Sequence, residues 1–420
     1  MQLMDHLNYG EHPLNPLQFG FRKNHSTETA LCYFVEQLKA MLDKGGVVGA
    51  IFLDLKRAFD TVNHNILLSK LSTHNISDET LQWFKSYLEN RKHCTRIGST
   101  KSSFLDSSVG VPQGSILGPL LFSVYINDLP TICPEVHVQM YADDAVIYVH
   151  AKSSQKAAAE LQRVMEQISD WMVQSCLTLN FSKTVSMFFS IRKTSHSAPE
   201  IIVKGTRILE AESVKYLGVV LDRTLSFKKH ISKLIKTVKF NLAQFRYIRP
   251  QMSTDAAKLY MHAMIFSHLT YCITTWSLST NTALQPLQSL YKQALKILDK
   301  KPVSYHYCKV VKKYKLLTFE NFILFSNVSL VFKILHDLAP QPLRMFVKSC
   351  DEAGRRTTRA SSRGDCSVNF RSSTFGQNCF SVKAVGMWNS LPLTVRESST
   401  LQQFKLDLKK WLKDGQICDH

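Results

Sequence analysis

Val138-Gln139-Met140-Tyr141-Ala142-Asp143-Asp144-Ala145-Val146-Ile147-Tyr148-Val149 reads as two short strands folding back on each other, with a pair of acids at the bend. Apolar residues stand on both sides of each run, so the pattern predicts a mostly buried sheet. A lone Asp in a turn is an ordinary turn former. Two adjacent like charges at the tip of a buried sheet are different, because they need a cation. Hard carboxylate oxygens suit Mg²⁺, which takes one or two of them and completes its shell with water and substrate phosphates. Two such ions about 4 Å apart can stabilise the attacking and leaving oxygens of a phosphoryl transfer.

Upstream, Val47 to Leu53 is another short apolar, β-branched run, and it delivers a third acid, Asp54, at its end. Ser26 is placed to cap a helix in which Ala30, Leu31, Phe34, Val35 and Leu38 recur at helical spacing until Gly45-Gly46 ends it. Ser77 caps a second helix through Leu81, Phe84 and Leu88. Downstream the spacing predicts a long helix from Ser154 to about Ser175, a strand near Val185 to Ser190, and a hairpin of Ile201-Ile202-Val203 with Arg207-Ile208-Leu209. From Phe227 the chain becomes mainly helical. Phe227, Ile231, Leu234, Ile235, Val238, Leu242 and Phe245 form an apolar stripe, with Lys228, Lys229, Lys233, Lys236 and Lys239 largely on the other side. Asp351 to Ser373 is rich in Arg, Ser and Thr without periodicity and reads as a flexible linker, and Leu401 to Leu412 as a last amphipathic helix.

Among the 420 residues, 45% are hydrophobic and 20% charged, which excludes a disordered or fibrous chain. The net charge of +19 points to a polyanionic partner or an acidic membrane surface. It is unevenly placed: residues 1–150 sum to −3 and residues 151–420 to +22. The ten cysteines form no CxxC and no His/Cys ligand spacing, so neither a zinc knuckle nor a disulfide framework is expected. No secretory start opens the chain, and its longest apolar stretch is less than half of the roughly 20 residues a membrane span needs. The expectation is a reduced, intracellular protein, nuclear or cytoplasmic, without a membrane segment.

Between the acids lies Gly110-Val111-Pro112-Gln113-Gly114-Ser115-Ile116-Leu117-Gly118-Pro119-Leu120-Leu121-Phe122, by itself a Gly/Pro loop before a buried helix. In this order and company the chain resembles reverse transcriptases, specifically those of non-LTR (LINE-type) retrotransposons of the jockey, CR1 and L2 kind. Gln18-Phe19-Gly20-Phe21-Arg22 with His25-Ser26-Thr27 is similar to the fingers motif of that family, and Phe52 to Asp60 with Thr61-Val62-Asn63-His64 to polymerase motif A. Gly110 to Pro119 resembles motif B, Tyr141 to Asp144 motif C, Leu179-Asn180-Phe181-Ser182-Lys183-Thr184 motif D, and Val214-Lys215-Tyr216-Leu217-Gly218 motif E. The resemblance is strong over about residues 3–220 and extends weakly through Ala384 to Pro392 and on to Lys413.

The resemblance implies an α+β fold: a right-hand polymerase of fingers, palm and thumb with an antiparallel palm sheet, followed by a mainly helical C-terminal region. It implies fingers and palm over 1–222, a basic helical thumb over 223–300, a helical connection over 301–350, the flexible basic linker over 351–373 and a C-terminal helical segment over 374–420. Carried over residue by residue, Asp54 and Asp143 would hold two Mg²⁺ ions, or Mn²⁺, with Asp144 assisting. Lys183 would stabilise charge near the triphosphate. Arg22 belongs to the nucleotide-gripping surface, Phe59 would screen the sugar 2′ position, and Gln113 with Gly114 would lie against incoming nucleotide and template. Tyr216, Leu217 and Gly218 would support the primer end. The lysines from Lys228 to Lys239 would then follow the phosphates of a template–primer duplex, in a stretch, residues 201–250, whose net charge is +8.

The implied activity is RNA-directed DNA polymerisation, joining dNTPs to a DNA primer on an RNA template. The competing reading is a catalytically inactive nucleic-acid-binding remnant; a structural protein built on the C-terminal helices leaves the three acids unexplained. Relative to the family pattern, the chain starts partway through the fingers, without the Arg-Pro-Ile-Ser-Leu segment, and contains no recognisable endonuclease. It reads as the 3′ piece of a retrotransposon frame that needs its primer supplied.

Overall fold

The computed structural model describes residues 2–10, 12–191, 199–350, 352, 365–368, 371 and 373–415. The chain divides into two units, Met1–Thr27 with Gly45–Glu212, and Glu28–Lys44 with Ser213–His420. Helix α1 (Thr27–Asp43), which from Glu28 on belongs to the second unit, interrupts the first in sequence and stops where Gly45 and Gly46 both take positive φ, 87° and 86°.

The first unit is built on a six-stranded sheet of β1 (Val47–Leu53), β2 (His137–Tyr141), β3 (Asp144–Ala151), β4 (Val185–Phe189), β5 (Ile201–Val203) and β6 (Thr206–Glu210). Their spatial order is β2-β3-β1-β4-β6-β5. Strand β1 is central, bonded to β3 on one side and β4 on the other, and all seven of its residues are buried. That is why it reads as a continuous apolar run rather than an alternating one. The expected antiparallel pairing joins β2 to β3, β3 to β1, β1 to β4 and β5 to β6, while β4 and β6 run parallel, Val185 facing Leu209 and Ser186 facing Glu210. The chain returns after β4 as the outer strand β5, and the tight turn at Lys204-Gly205 then sends β6 back in the direction of β4.

Helix α2 (Leu117–Tyr125) follows the Gly/Pro loop, and α3 (Ser154–Gln174) lies across the sheet, capped by the Ser153 hydroxyl accepting from Lys156 N. Ala157, Leu161, Val164, Ile168 and Trp171 form the buried stripe of α3. Gly49 in β1 allows its close approach: a Cβ there would come within 2.9 Å of Leu161 Cδ1 and 3.0 Å of Ala157 Cβ.

The second unit contains α1, the hairpin β7 (Ser213–Tyr216) and β8 (Val219–Asp222), and helices α4 (Lys228–Ile248), α5 (Asn281–Leu298), α6 (Tyr307–Tyr314), α7 (Phe319–Leu335), α8 (Phe380–Asn389) and α9 (Leu401–Asp414). α4 packs on α5, and α7 packs on α8 and α9. The predicted stripe of α4 is buried at Ile231, Leu234, Val238, Leu242 and Phe245; Phe227 stands just outside the helix, buried, with φ 57°. A buried carboxylate organises the rest. Glu36 on α1 is only 2% exposed and accepts from the backbone N–H groups of Phe380 (2.5 Å) and Ser381 (3.1 Å), capping the N-terminus of α8. Lys39, one turn on, donates to Asn378 O at 2.7 Å.

No disulfide links the described cysteines. No single helix among the described residues is long and apolar enough to cross a membrane. The predicted linker, residues 351–373, falls largely outside the described residues.

Candidate active site

The hairpin of β2 and β3 closes in a two-residue turn. Tyr141 pairs with Asp144, Ala142 takes φ 55°, and Asp143 is the second residue of the bend. Because Leu53 faces Ala145 across β1 and β3, the chain leaving β1 at Asp54 emerges beside this tip. The turn of residues 180–184 fixes Asp54 from the other side. Its backbone N–H donates to Thr184 Oγ1 (3.2 Å), its carbonyl accepts from Asn180 N (2.7 Å), and its carboxylate accepts from Asn180 Nδ2 at 2.7 Å. The three acids predicted from sequence thus meet at one end of the sheet.

Residues 17–20 hold the tip from behind. Phe19 N donates to Met140 O (2.8 Å) and Met140 N to Leu17 O (2.9 Å), extending β2 by a short parallel bridge. The fully buried Gln18 places its Oε1 between Gly20 N (2.9 Å) and Ala142 N (3.1 Å), so one side-chain amide fixes the turn that presents Asp143. Gly20 is required by proximity, since a Cβ there would lie 2.4 Å from Ala142 N.

Burial pushes the carboxyl of Asp143 up; its own backbone N–H opposes this, and the Asp54 charge adds to it. Asp144 reaches solvent on one side, but the sheet removes enough water from the other to make burial the larger cause of its rise to about 6, followed by the charges of Asp143 and Asp54. Among the described residues no Lys or Arg pairs with any of the three acids. Nor do three His, Cys, Asp or Glu side chains converge closely enough to form a metal cage by themselves. One or two uncompensated carboxylates, short of a full cage, fit Mg²⁺, whose remaining positions go to water and phosphate oxygens.

Beyond Asp54, Phe59 is half-buried, stacked on the fully buried Phe122 of α2 (centroids 4.4 Å) and edge-on to the exposed Phe21 (6.5 Å). The 110–118 loop folds over the same segment. Gly110 N donates to Val62 O (2.8 Å), Val111 N to Phe59 O (2.9 Å), and Gln113 Nε2 to Asp60 Oδ1 (2.6 Å).

Residues 2–221, over half of the chain, match the family model described as reverse transcriptase (RNA-dependent DNA polymerase). The chain belongs to the reverse transcriptase family. It is 29% identical over 295 residues to the RNA-directed DNA polymerase from mobile element jockey of Drosophila funebris, and 30% over 296 residues to its namesake in Drosophila melanogaster. Each match covers 68% of this chain and 32% of the relative, so the chain spans about a third of those proteins. A distant structural likeness is to apo telomerase from Candida tropicalis, with 14% identity, TM-score 0.44, and coverage of 77% of this chain and 53% of that one. The family fold is the right-hand polymerase, here with a mainly helical C-terminal region.

The other residues predicted from the sequence fall as follows. Arg22 turns its guanidinium onto backbone, donating to Asn15 O (2.8 Å) and Gln18 O (3.2 Å), close to the residues that hold the tip. Gly114 has φ 78° and open space around it. Lys183 is exposed in the same 180–184 turn that grips Asp54. The second unit carries Tyr216, Leu217 and Gly218. Leu217 and Gly218 form the β7–β8 turn with φ 43° and 83°, Tyr216 packs edge-on to Phe34, and Leu217 O accepts from Tyr271 Oη at 2.9 Å. Lys228, Lys229, Lys233, Lys236 and Lys239 are all exposed on α4. Sequence reasoning left out Gln18 and Asn180 as site residues; both stand inside the motifs it quoted, and only their partners across the fold reveal what they hold.

Proposed function

We propose that the chain is an RNA-directed DNA polymerase that joins the α-phosphate of a dNTP to the 3′-hydroxyl of a DNA primer on an RNA template. One observation carries this reading: Asp54, Asp143 and Asp144 converge at the sheet end without a cation partner among the described residues, in a chain of the reverse transcriptase family. Asp54 and Asp143, with Asp144 assisting, would hold two Mg²⁺ or Mn²⁺ ions, which when bound supply charge stabilisation to the attacking and leaving oxygens. Asn180 orients the Asp54 carboxylate, and Gln18 sets the turn carrying Asp143, so both acids are positioned before substrate arrives. Lys183 offers a mobile point charge to the triphosphate. Phe59 lies under the sugar, Gln113 and Gly114 line the nucleotide side, and Arg22 stiffens the loop behind the tip. Tyr216, Leu217 and Gly218 support the primer, and the α4 lysines give sequence-independent affinity for backbone phosphates.

Primer extension on an RNA template, with and without Mg²⁺, tests the reading in the purified full chain. Asp143→Asn is expected to abolish extension while leaving duplex affinity within about twofold, because it removes charge from the tip and none from α4. Extension by that variant at the parental rate refutes the assignment, and duplex binding without extension by the parent favours the inactive remnant.

A further inference from the structure

The cations of α4 continue past the five lysines named above. Arg246 stands near the helix end, and there a concave pocket of about 330 Å³ opens, lined by Arg246, Pro250, Lys296, Lys300, Lys301 and Val303 among others. No acidic side chain lines it. Arg249, buried at its base, spends its guanidinium on Leu298 O (2.9 and 2.7 Å) and Met252 O (2.9 Å) and so welds the end of α4 to the end of α5. Two ammonium groups are oriented by backbone: Lys296 donates to Val303 O, and Lys300 to Pro250 O at 3.3 Å. An ammonium has three donors, so each keeps two for a ligand. Lys301 is held over the Tyr305 ring at 5.0 Å.

The surrounding sequence makes the imbalance sharper. Residues 292–315 contain eight lysines and one acid, Asp299. That acid is already engaged by Lys313 and by Tyr314 Oη at 2.8 Å. Among the described residues Arg246, Lys296, Lys300 and Lys301 make no ion pair. Four like charges gathered in one concavity repel one another unless an anion joins them. The place of the pocket says which anion. Lys228 and Arg246 are about 27 Å apart along α4 at 1.5 Å per residue, a span matching about eight phosphates of one strand at 3.4 Å spacing.

We propose that this pocket is a phosphodiester-binding site for the nucleic acid that α4 contacts, gripping its backbone at the far end of the helix's row of cations. It rests on the nucleic-acid role given to α4 above. The pocket reads charge and not bases, since its donors are ammonium and guanidinium groups suited to phosphate oxygens.

The test uses the full chain and an RNA–DNA duplex of about 16 base pairs, long enough to cover the track. Lys296, Lys300 and Lys301 are changed together to Gln, Lys229, Lys233 and Lys236 together to Gln in a second variant, and the pocket triad to Arg in a third. Binding is measured by anisotropy across salt concentrations, with thermal melts as a check on folding. The pocket Gln variant is expected to lower the slope of log affinity against log salt by up to about 2.7, at 0.9 per lost contact. The Arg variant keeps the parental slope. An unchanged slope in the pocket Gln variant, with a lowered one in the α4 variant, overturns the pocket and leaves the role of α4 standing. Unchanged slopes in both remove the role of α4, and the pocket with it. Inorganic pyrophosphate binding is measured by calorimetry in the parent and the pocket Gln variant; its loss in that variant with the duplex slope unchanged shows a small free phosphate as the ligand, which also overturns the proposal.

Discussion

Replacing Phe59 by Ala separates a sugar-reading ring from a core ring. The ring is stacked at 4.4 Å on Phe122, which is fully buried, and meets Phe21 edge-on. Full truncation of a buried Phe costs about 3–5 kcal/mol. Phe59 is half-buried, so roughly half of that, plus about 1 kcal/mol for the lost ring contacts, gives a destabilisation of about 2.5–3.5 kcal/mol. For a unit of this size the melting temperature falls by about 5–14 °C, leaving a folded protein to assay. If the ring lies under the sugar, a ribose 2′-hydroxyl has to be buried against it without a partner, a penalty of roughly 1–3 kcal/mol, or 5- to 150-fold in selectivity. Single-nucleotide extension with dNTP and rNTP in parallel measures this as a ratio of kcat/KM values. The expected result is a ratio that collapses by that factor while dNTP incorporation is partly kept. A variant that stays folded and rejects rNTPs as strongly as the parent refutes the sugar-reading role. Loss of both activities together with loss of the folded state assigns Phe59 to the core.

Gly20→Ala is expected to reduce extension strongly while changing the affinity for duplex little. Its Cβ would sit 2.4 Å from Ala142 N, so the Asp143 turn has to shift, at about 1–3 kcal/mol; parental extension would show that the tip tolerates displacement. His230, 4% exposed and lowered to about 4 by burial and then by Lys233, stays neutral in the folded second unit and accepts from Val220 N at 3.4 Å. The unfolded chain takes up that proton near pH 6.5, so stability is lost as pH falls from 6.5 through 4, by at most about 3 kcal/mol. Denaturant melts of the parent and His230→Phe at pH 7 and pH 4 read the difference, and equal acid sensitivity in both would remove His230 as its source.

The parts of the site legible in the sequence are those with a local signature. The bend at Asp143-Asp144 shows because two apolar runs flank it at hairpin distance. Asp54 shows because a buried central strand is a continuous apolar run with an abrupt polar end. The exposure of the α4 lysines follows from helical periodicity alone, and Ile231, Leu234, Val238, Leu242 and Phe245 are buried on the other side as that period requires. The motif order then named the family over about residues 3–220, and the family model matches residues 2–221.

Contacts between distant residues leave no such signature. Gln18 accepts from Ala142, 124 positions away, and Asn180 donates to Asp54 across 126; the identity of either residue suggests only a polar surface side chain. Glu36 belongs to a helix whose period predicts it merely as one polar position, yet it is buried and caps a helix starting 344 residues later. The parallel register of β4 with β6 was likewise hidden, because strand direction depends on which edge the returning chain occupies. The sequence by itself determined the strands, helices and acids, since apolar spacing and turn chemistry act within a few residues. Only the tertiary structure decided which amide orients which carboxylate, and which cations of α4 and α5 share one pocket. Those choices depend on the three-dimensional closeness of groups whose order along the chain does not encode it.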